Sequence, residues 1–310
     1  MTRSKLPPVA IVVVNYGSHE LLERNLVPVS RHSADARVVV VDSFSDISER
    51  VEVVRLAERY GWSTVLPTTN VGFGGGMNLG VAKAHEAGAR FFLLLNPDAS
   101  LDAESLRSLR IAANAEPLTL LAPKIFRPDG SVWFDGSHLD LKDGSTRASR
   151  KIPAAASERN VPWLTGACLM VSYDLWQMVG GFDERYFLYW EDVDLSYRVL
   201  SIGANIRVLQ SAPAVHDEGG THPDAAKRTE SRAKSATYYY YNARNRLLFA
   251  SLNLGPDIQR DWKRTAVRAA GDILLRGGLR QFLRPLTPLR AAATGTWEGL
   301  RLLRDAQKAR

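Results

Sequence analysis

The 310-residue chain holds a single cysteine, Cys168, which rules out an intrachain disulfide framework and a multi-cysteine zinc site. It sits in the apolar string Gly166-Ala167-Cys168-Leu169-Met170-Val171 and is read as a buried core thiol. Long hydrophobic runs are missing too. The longest, around residues 9–14 and 91–95, fall far short of the roughly 18–20 residues a membrane-spanning helix needs. The basic N-terminal stretch meets polar Asn15-Tyr16 with no small-residue cleavage site behind it, so a first strand of a cytoplasmic protein is expected. No internal repeat is visible, and no Gly-Lys-Ser/Thr completes a phosphate-binding loop. The glycine cluster at 72–76 lacks dinucleotide-fingerprint spacing, because the last glycine of that pattern falls on Met77 or Leu79. With 45% hydrophobic and 24% charged residues, collagenous and disordered classes are excluded.

Residues 1–256 also lack net charge of either sign, so the whole formal excess of +7 falls in the tail. Arg260, Arg264 and Arg268 recur every fourth residue there, as do Arg276, Arg280 and Arg284, and on a helix each set forms a basic stripe. Trp262, Ala266, Ala269 and Ile273 lie on another face, Leu275, Leu279, Phe282 and Leu283 serve the second segment, and Trp297, Leu300 and Leu303 the third. Gly277-Gly278, Pro285 and Pro288 are expected to separate the segments. Cationic amphipathic helices of this kind suit either an anionic membrane surface or packing against the main domain. Nucleic acid is not an expected partner, since no nucleic-acid module precedes the tail.

In the first half, Val9–Val14, Val38–Val41 and Phe91–Leu95 are short continuous apolar runs, the mark of strands buried on both faces. Helical patterns around residues 21–26, 51–60 and 77–87 separate them, which makes the region α/β. Residues 122–162 loosen into a hairpin-rich insertion, and helical stretches return at about 191–200 and 233–251. Ligands in such sheets bind beyond the carboxyl ends of the strands. The groups found there are Asn15-Tyr16-Gly17, Asp42-Ser43-Phe44-Ser45-Asp46 and Asn96-Pro97-Asp98.

Three chemistry-bearing constellations stand out. The glycines of Asn70-Val71-Gly72-Phe73-Gly74-Gly75-Gly76-Met77-Asn78 fit either a tight turn or a close backbone approach to an anion at a helix start. Asp98 follows a buried strand, where a carboxylate can meet a divalent cation already bound to phosphates. In Trp190-Glu191-Asp192-Val193-Asp194, Asp194 precedes Arg198 by one helical turn and takes a structural role, leaving Glu191 and Asp192 for acid/base work. At a helix N-terminus an Asp is expected below its usual value near 3.9.

The ordered set formed by Asn15-Tyr16, Asp42, Asn70 to Asn78, Asn96-Pro97-Asp98, Gly166-Ala167, the block Gly180-Gly181-Phe182-Asp183 through Leu195, and Tyr241-Asn242-Ala243-Arg244-Asn245-Arg246 resembles glycosyltransferase family 2, and within it bacterial rhamnosyltransferases. The likeness covers about residues 8–250. It implies a GT-A fold, a Rossmann-like nucleotide-binding mixed sheet flanked by helices, over residues 1–254, with residues 255–310 as a basic amphipathic helical extension. It further implies a nucleotide-sugar site of Asn15, Tyr16, Asp42, Asn70, Gly72, Gly74, Gly75, Asn78 and Asn96. Asp98 and His216 would hold Mg²⁺ or Mn²⁺ on the diphosphate. Asp192 would be the general base, with Glu191 beside it, and Gly166, Ala167 and Trp190 would face the acceptor. The activity implied is inverting transfer of a sugar, L-rhamnose from a dTDP donor, to a saccharide or polyprenyl-linked saccharide at the inner membrane face during cell-envelope synthesis. A UDP-galactofuranose donor and a non-catalytic nucleotide-sugar-binding scaffold are the alternatives. Asn96 stands where the family's metal motif has its first acid, and Ser43-Phe44 where Asn-Gly is usual.

Overall fold

The structure is a computed structural model describing residues 6–33, 35–149, 159–217, 234–278 and 286–308. The N-terminal half alternates as expected: β1 (Val9–Asn15), α1 (His19–Leu21) running through a π-helical turn (Leu22–Leu26) into α2 (Val27–His32), β2 (Ala36–Asp42), α3 (Ile47–Tyr60), β3 (Ser63–Val65), α4 (Gly72–Glu86) and β4 (Phe91–Leu95). Then come β5 (Ala99–Leu101), α5 (Ala103–Ala115), β6 (Thr119–Phe126), β7 (Val132–Phe134), β8 (Ser137–Asp140), β9 (Thr146–Ala148) and β10 (Asn160–Trp163). The rest is β11 (Cys168–Ser172), α6 (Tyr173–Val179), α7 (Glu191–Ser201), β12 (Asn205–His216), α8 (Ala236–Asn253), α9 (Pro256–Arg264), α10 (Ala266–Leu275) and α11 (Leu286–Lys308).

Nine strands form one mixed sheet in the order β3-β2-β1-β4-β11-β6-β12-β5, with β7 branching from β6. Every residue of β1 is buried, because parallel β2 and β4 flank it and helices cover both faces. The register Asn15↔Asp42 brings two polar groups side by side at the carboxyl edge. β11 runs antiparallel to β4, and Cys168, wholly buried opposite Leu95, is the core thiol expected. Part of the stretch read as an insertion is β6, a central strand; only β8, β9 and β10 form a separate small sheet.

Helix α4 lies unusually close to the sheet. A Cβ on Gly76 would come within 2.7 Å of Val14 and one on Gly80 within 2.3 Å of Val12, so small residues set the helix-to-strand distance.

The tail differs from its sequence pattern. Arg260, Arg264 and Arg268 do not share one helix, because the chain turns at Thr265, whose hydroxyl donates to the carbonyls of Asp261 and Trp262. Pro288 does not break a helix either; it lies in the first turn of α11, where its missing N–H costs nothing. Leu279, Arg280, Phe282, Leu283, Arg284 and Pro285 lie outside the described residues. Helix α11 packs along α8, with Gly295 so near that a Cβ would meet the Tyr240 carbonyl at 2.2 Å. Glu298 accepts from Tyr240 Oη and pairs with Arg244 at 3.1 Å. Trp262, fully buried, shares one hydrophobic cluster with Tyr186, Trp190 and Phe249, so residues on both sides of position 254 build the same core. No described helix is long and apolar enough to cross a membrane.

Candidate active site

Glu191 and Asp192 open α7 and arrive there through an improbable backbone. Phe187, Tyr189 and Trp190 have φ of 61°, 65° and 74°, a left-handed conformation that costs non-glycine residues roughly 1–3 kcal/mol each. The residue that holds them is Asn245, fully buried on α8, whose Nδ2 faces the carbonyls of Tyr186, Leu188 and Tyr189, each at 2.8 Å. Asp194 anchors the other side. It accepts from Tyr186 Oη at 3.0 Å, Asn253 Nδ2 at 2.8 Å and Arg198 Nε at 2.7 Å, the structural pair that the i,i+4 spacing gave. Replacing Asn245 by Ala removes the donor shared by three carbonyls of a strained turn. We expect a loss of about 3 kcal/mol in thermal unfolding and a lowered kcat with near-unchanged donor affinity.

Asp192 Oδ2 accepts from the Gly166 amide at 2.9 Å and Oδ1 from the Val193 amide at 2.8 Å. Its pKa is not held below the usual aspartate value, as a helix N-terminus alone would dictate. Burial pushes it up to about 6, outweighing these amides. Glu191 is pushed well above the carboxylate range, by burial first and then by the neighbouring Asp192, and its Oε2 has no hydrogen-bond partner among the described residues. The pair therefore carries one negative charge at neutral pH, placed on Asp192.

A second constellation sits where β5 and β12 pair, Ala99 opposite His216. Asp98 Oδ1 and His216 Nε2 are 3.0 Å apart, but outside hydrogen-bond geometry. Asp98 Oδ1 and both ring nitrogens of buried His216 find no hydrogen-bond partner among the described residues. The imidazole lies against Trp133, ring centres 4.3 Å apart. Orphaned buried oxygen and nitrogen converging on one point fit a shared divalent cation. No group of three or more His, Cys, Asp or Glu suited to a metal occurs among the described residues, which offer two ligands at this point and leave positions for donor oxygens and water. The two constellations are linked: the Asn96 amide donates to the Ala167 carbonyl at 2.9 Å, and adjacent Gly166 donates to Asp192.

The third group is at the ends of β1 and β2. Asp42 is wholly buried, with Arg50 Nε at 2.7 Å from Oδ2 and Asn15 Nδ2 at 3.3 Å from Oδ1. Asn15 also donates to Glu49 Oε1 at 2.9 Å and accepts from Ser18 at 3.1 Å, so its amide is fully engaged. Glu49 and Arg50, both on α3, escaped the sequence reading; the only signal was their position after the Asp46 cap, which accepts from the Glu49 amide. Tyr16 is about half exposed and available to stack on a ligand. Asn70 Oδ1 accepts from Ser43 Oγ and the Gly72 amide and shapes the turn. Gly72, at φ 74°, leaves no room for a Cβ beside the Phe187 carbonyl at 2.4 Å, and Gly74 and Gly75 face Phe182 and Glu184. Asn78 is bonded to the Phe182 amide and carbonyl and to Glu184. These glycines and Asn78 tie α4 to the 182–187 turn.

A cavity of about 250 Å³ opens on the α8 and α10 side of Asp192. Glu191, Asp192, Trp190, Trp163 and Tyr189 line one side, and Arg246, Arg268, Asp272 and Arg276 the other. Trp190 contributes only an edge, being 8% exposed and packed near Phe249 and Trp262.

A mixed sheet that lines up Asn15, Asp42 and Asn96 on its carboxyl edge, with the Asp98–His216 pair nearby and an acid pair behind them, is a GT-A glycosyltransferase architecture. The solved mannosyltransferase from Pyrobaculum calidifontis, in complex with GDP-mannose and Mn²⁺, aligns over 98% of this chain and 87% of its own with a TM-score of 0.55 at 17% identity. The family model described as glycosyltransferase like family 2 matches residues 7–236, and the chain belongs to that family. The N-acetylglucosaminyl-diphospho-decaprenol L-rhamnosyltransferase of Mycobacterium tuberculosis is 33% identical over 257 residues, 74% of this chain and 82% of the relative. A low-salt glycan biosynthesis hexosyltransferase of Haloferax volcanii is 25% identical, over 83% of this chain and 80% of its own. The protein is a glycosyltransferase enzyme with rhamnosyltransferases among its relatives.

Proposed function

We propose that the chain transfers L-rhamnose from dTDP-rhamnose, with inversion, to a polyprenyl-diphosphate-linked saccharide on the inner membrane face. The observation that carries the reading is the Glu191–Asp192 pair: one carboxylate kept anionic by two amides, at the mouth of a cavity large enough for a sugar unit. The Asp192 carboxylate takes the proton of the acceptor hydroxyl as that oxygen bonds to the anomeric carbon. The bond from that carbon to the donor's phosphate oxygen breaks on the opposite face, and the nucleoside diphosphate leaves with its electron pair. Protonated Glu191 has a hydrogen to give, its Oε2 has no partner among the described residues, and it orients the acceptor sugar. Asp98 and His216 would hold Mg²⁺ or Mn²⁺, which neutralises charge on the leaving diphosphate when bound. The mycobacterial relative, named for a diphospho-decaprenol acceptor and a rhamnosyl product, supports the choice of donor and acceptor.

Nucleoside-diphosphate release from dTDP-rhamnose, UDP-galactofuranose and UDP-N-acetylglucosamine, with and without a lipid-linked acceptor, tests this reading. Acceptor-dependent release from dTDP-rhamnose is the expected result. Preference for UDP-galactofuranose would replace the donor, and donor binding without turnover would leave a scaffold.

The membrane part rests on the tail. Val267 and Leu275 on α10, and Leu289 and Trp297 on α11, are exposed, with Arg301 over the Trp297 ring at 5.5 Å. Leu289 and Trp297, eight residues apart, lie on one face of α11. We expect the double replacement Leu289→Gln and Trp297→Gln to cut cosedimentation with phosphatidylglycerol vesicles about tenfold. Turnover of a water-soluble acceptor should be unchanged.

A further inference from the structure

Arg268 on α10 and Arg276 at its C-terminal cap stand eight residues apart, two turns and therefore about 12 Å along one face, and both line the cavity that Glu191 and Asp192 close from the other side. Neither has an ion-pair partner within 4 Å among the described residues, although Asp272 lies one turn from each on the same face and Asp143 lines the same cavity. Arg246, the third arginine of the cavity, is 3% exposed. It donates only to neutral acceptors: the carbonyls of Asp143 and Trp262 and the hydroxyl of Thr265. Its face covers the Trp262 ring at 4.6 Å. Burial lowers its pKa to about 10, opposed in part by the nearby Asp143 carboxylate. Three guanidinium groups thus line a cavity they share with the carboxylates of Asp143, Asp272 and Asp192, and two of them, Arg268 and Arg276, have no ion pair among the described residues.

We propose that Arg268 and Arg276, backed by the buried Arg246, form the subsite for the diphosphate that joins the acceptor sugar to its lipid. This proposal rests on the transferase reading above and names the acceptor end of the same site. Guanidinium matches phosphate oxygens through paired N–H donors, and side chains two turns apart on one helix can converge on the two phosphates of a diphosphate from either end. With the diphosphate on α10, the attached sugar extends toward Glu191 and Asp192, and the lipid leaves toward the side of α10 that exposes Val267 and Leu275. Asp272, between the arginines, is left to accept a hydroxyl of the sugar. One arginine from each of the two basic sets of the sequence thus serves the acceptor, and α10 is a wall of the active site.

The test uses the full chain and its Arg268→Gln/Arg276→Gln variant. Both positions are exposed and have no ion pair among the described residues, so the variant should melt with the wild type. Two probes are titrated by calorimetry and assayed as acceptors: geranyl-diphospho-N-acetylglucosamine and geranyl N-acetylglucosaminide, which differ only in the diphosphate. The wild type should bind the diphosphate probe at least about tenfold more tightly than the neutral one. The variant should lose that preference, raising acceptor KM about tenfold or more with dTDP-rhamnose affinity unchanged. Equal affinity of wild type and variant for the diphosphate probe, or no preference in the wild type, would overturn the subsite. Arginine-dependent probe binding without any donor turnover would keep the subsite and sink the transferase reading. Normal turnover with unaltered acceptor kinetics in the variant would do the reverse.

Discussion

Asp192→Asn is expected to lower kcat about 10³-fold while donor affinity stays within about twofold of the wild type. The asparagine keeps the shape, and its carbonyl oxygen can still accept from the Gly166 amide, so the cavity and the start of α7 survive. What disappears is the ability to take a proton from a hydroxyl that becomes acidic only as it attacks. The pH profile sharpens the test. A base must be deprotonated to act, and burial has pushed Asp192 up to about 6. The wild-type rate should climb with pH up to about 6 and flatten above it, falling about tenfold per unit on the acid side. Glu191 lies well above the carboxylate range and stays protonated through neutral pH. Removing its proton-bearing group with Glu191→Gln should therefore be milder at neutral pH than Asp192→Asn, and it should leave the rising limb near 6, since a protonated Glu191 places no charge beside Asp192. Initial rates of nucleoside-diphosphate release across pH 4.5–9 read both effects. A wild-type profile flat through 6, or full turnover by Asp192→Asn, would strip Asp192 of the role.

Much of this site lies where local patterns point. Buried strands end in polar residues, and the β-branched runs at 9–14 and 38–41 were enough to put Asn15 and Asp42 next to each other on the carboxyl edge. Three acids after an aromatic run marked the start of α7 because composition and the i,i+4 pair with Arg198 both act within one turn. What stayed hidden depends on contacts between distant segments. Arg50 and Glu49 reach Asp42 and Asn15 only because α3 crosses the strand ends. Asn245 supports the turn before Glu191 from more than fifty residues away, and an asparagine within a helical pattern carries no local sign of such a task. The direction of the Asp192 shift differs from the sequence expectation for the same reason: a helix N-terminus is visible in sequence, whereas the burial that outweighs it comes from the tertiary fold. The glycines of 72–80 illustrate the same dependence. Their number fits either a tight turn or a close backbone approach to an anion, and at Gly72, Gly76 and Gly80 the space a side chain would need is filled by Phe187, Val14 and Val12, contacts no local pattern announces.

The second large effect concerns Asp98. Asp98→Ala should weaken dTDP-rhamnose binding about 100-fold in the presence of Mn²⁺ and leave metal-free binding nearly unchanged, as calorimetry with and without a chelator would show. The argument begins with what these atoms lack. A carboxylate and an imidazole buried at 3.0 Å without a hydrogen bond between them keep desolvated polar atoms unsatisfied, an arrangement that a shared ligand would complete. A single hard carboxylate and one imidazole hold a divalent cation weakly by themselves, and with Asn96 in place of a second acid, phosphate oxygens of the donor are suited to add to the shell. Metal and donor should consequently bind as a unit: each raises the affinity for the other by the same factor, since linkage is reciprocal. His216→Ala should reproduce the effect in smaller degree, because the carboxylate carries the charge. Trp133→Ala, which frees the imidazole from the ring now 4.3 Å away, should fall between His216→Ala and the wild type if orientation matters. Equal donor affinity with and without metal in the wild type would remove both residues from the cation. The rise of donor affinity with Mn²⁺, traced against these three variants, assigns the ligands without requiring turnover.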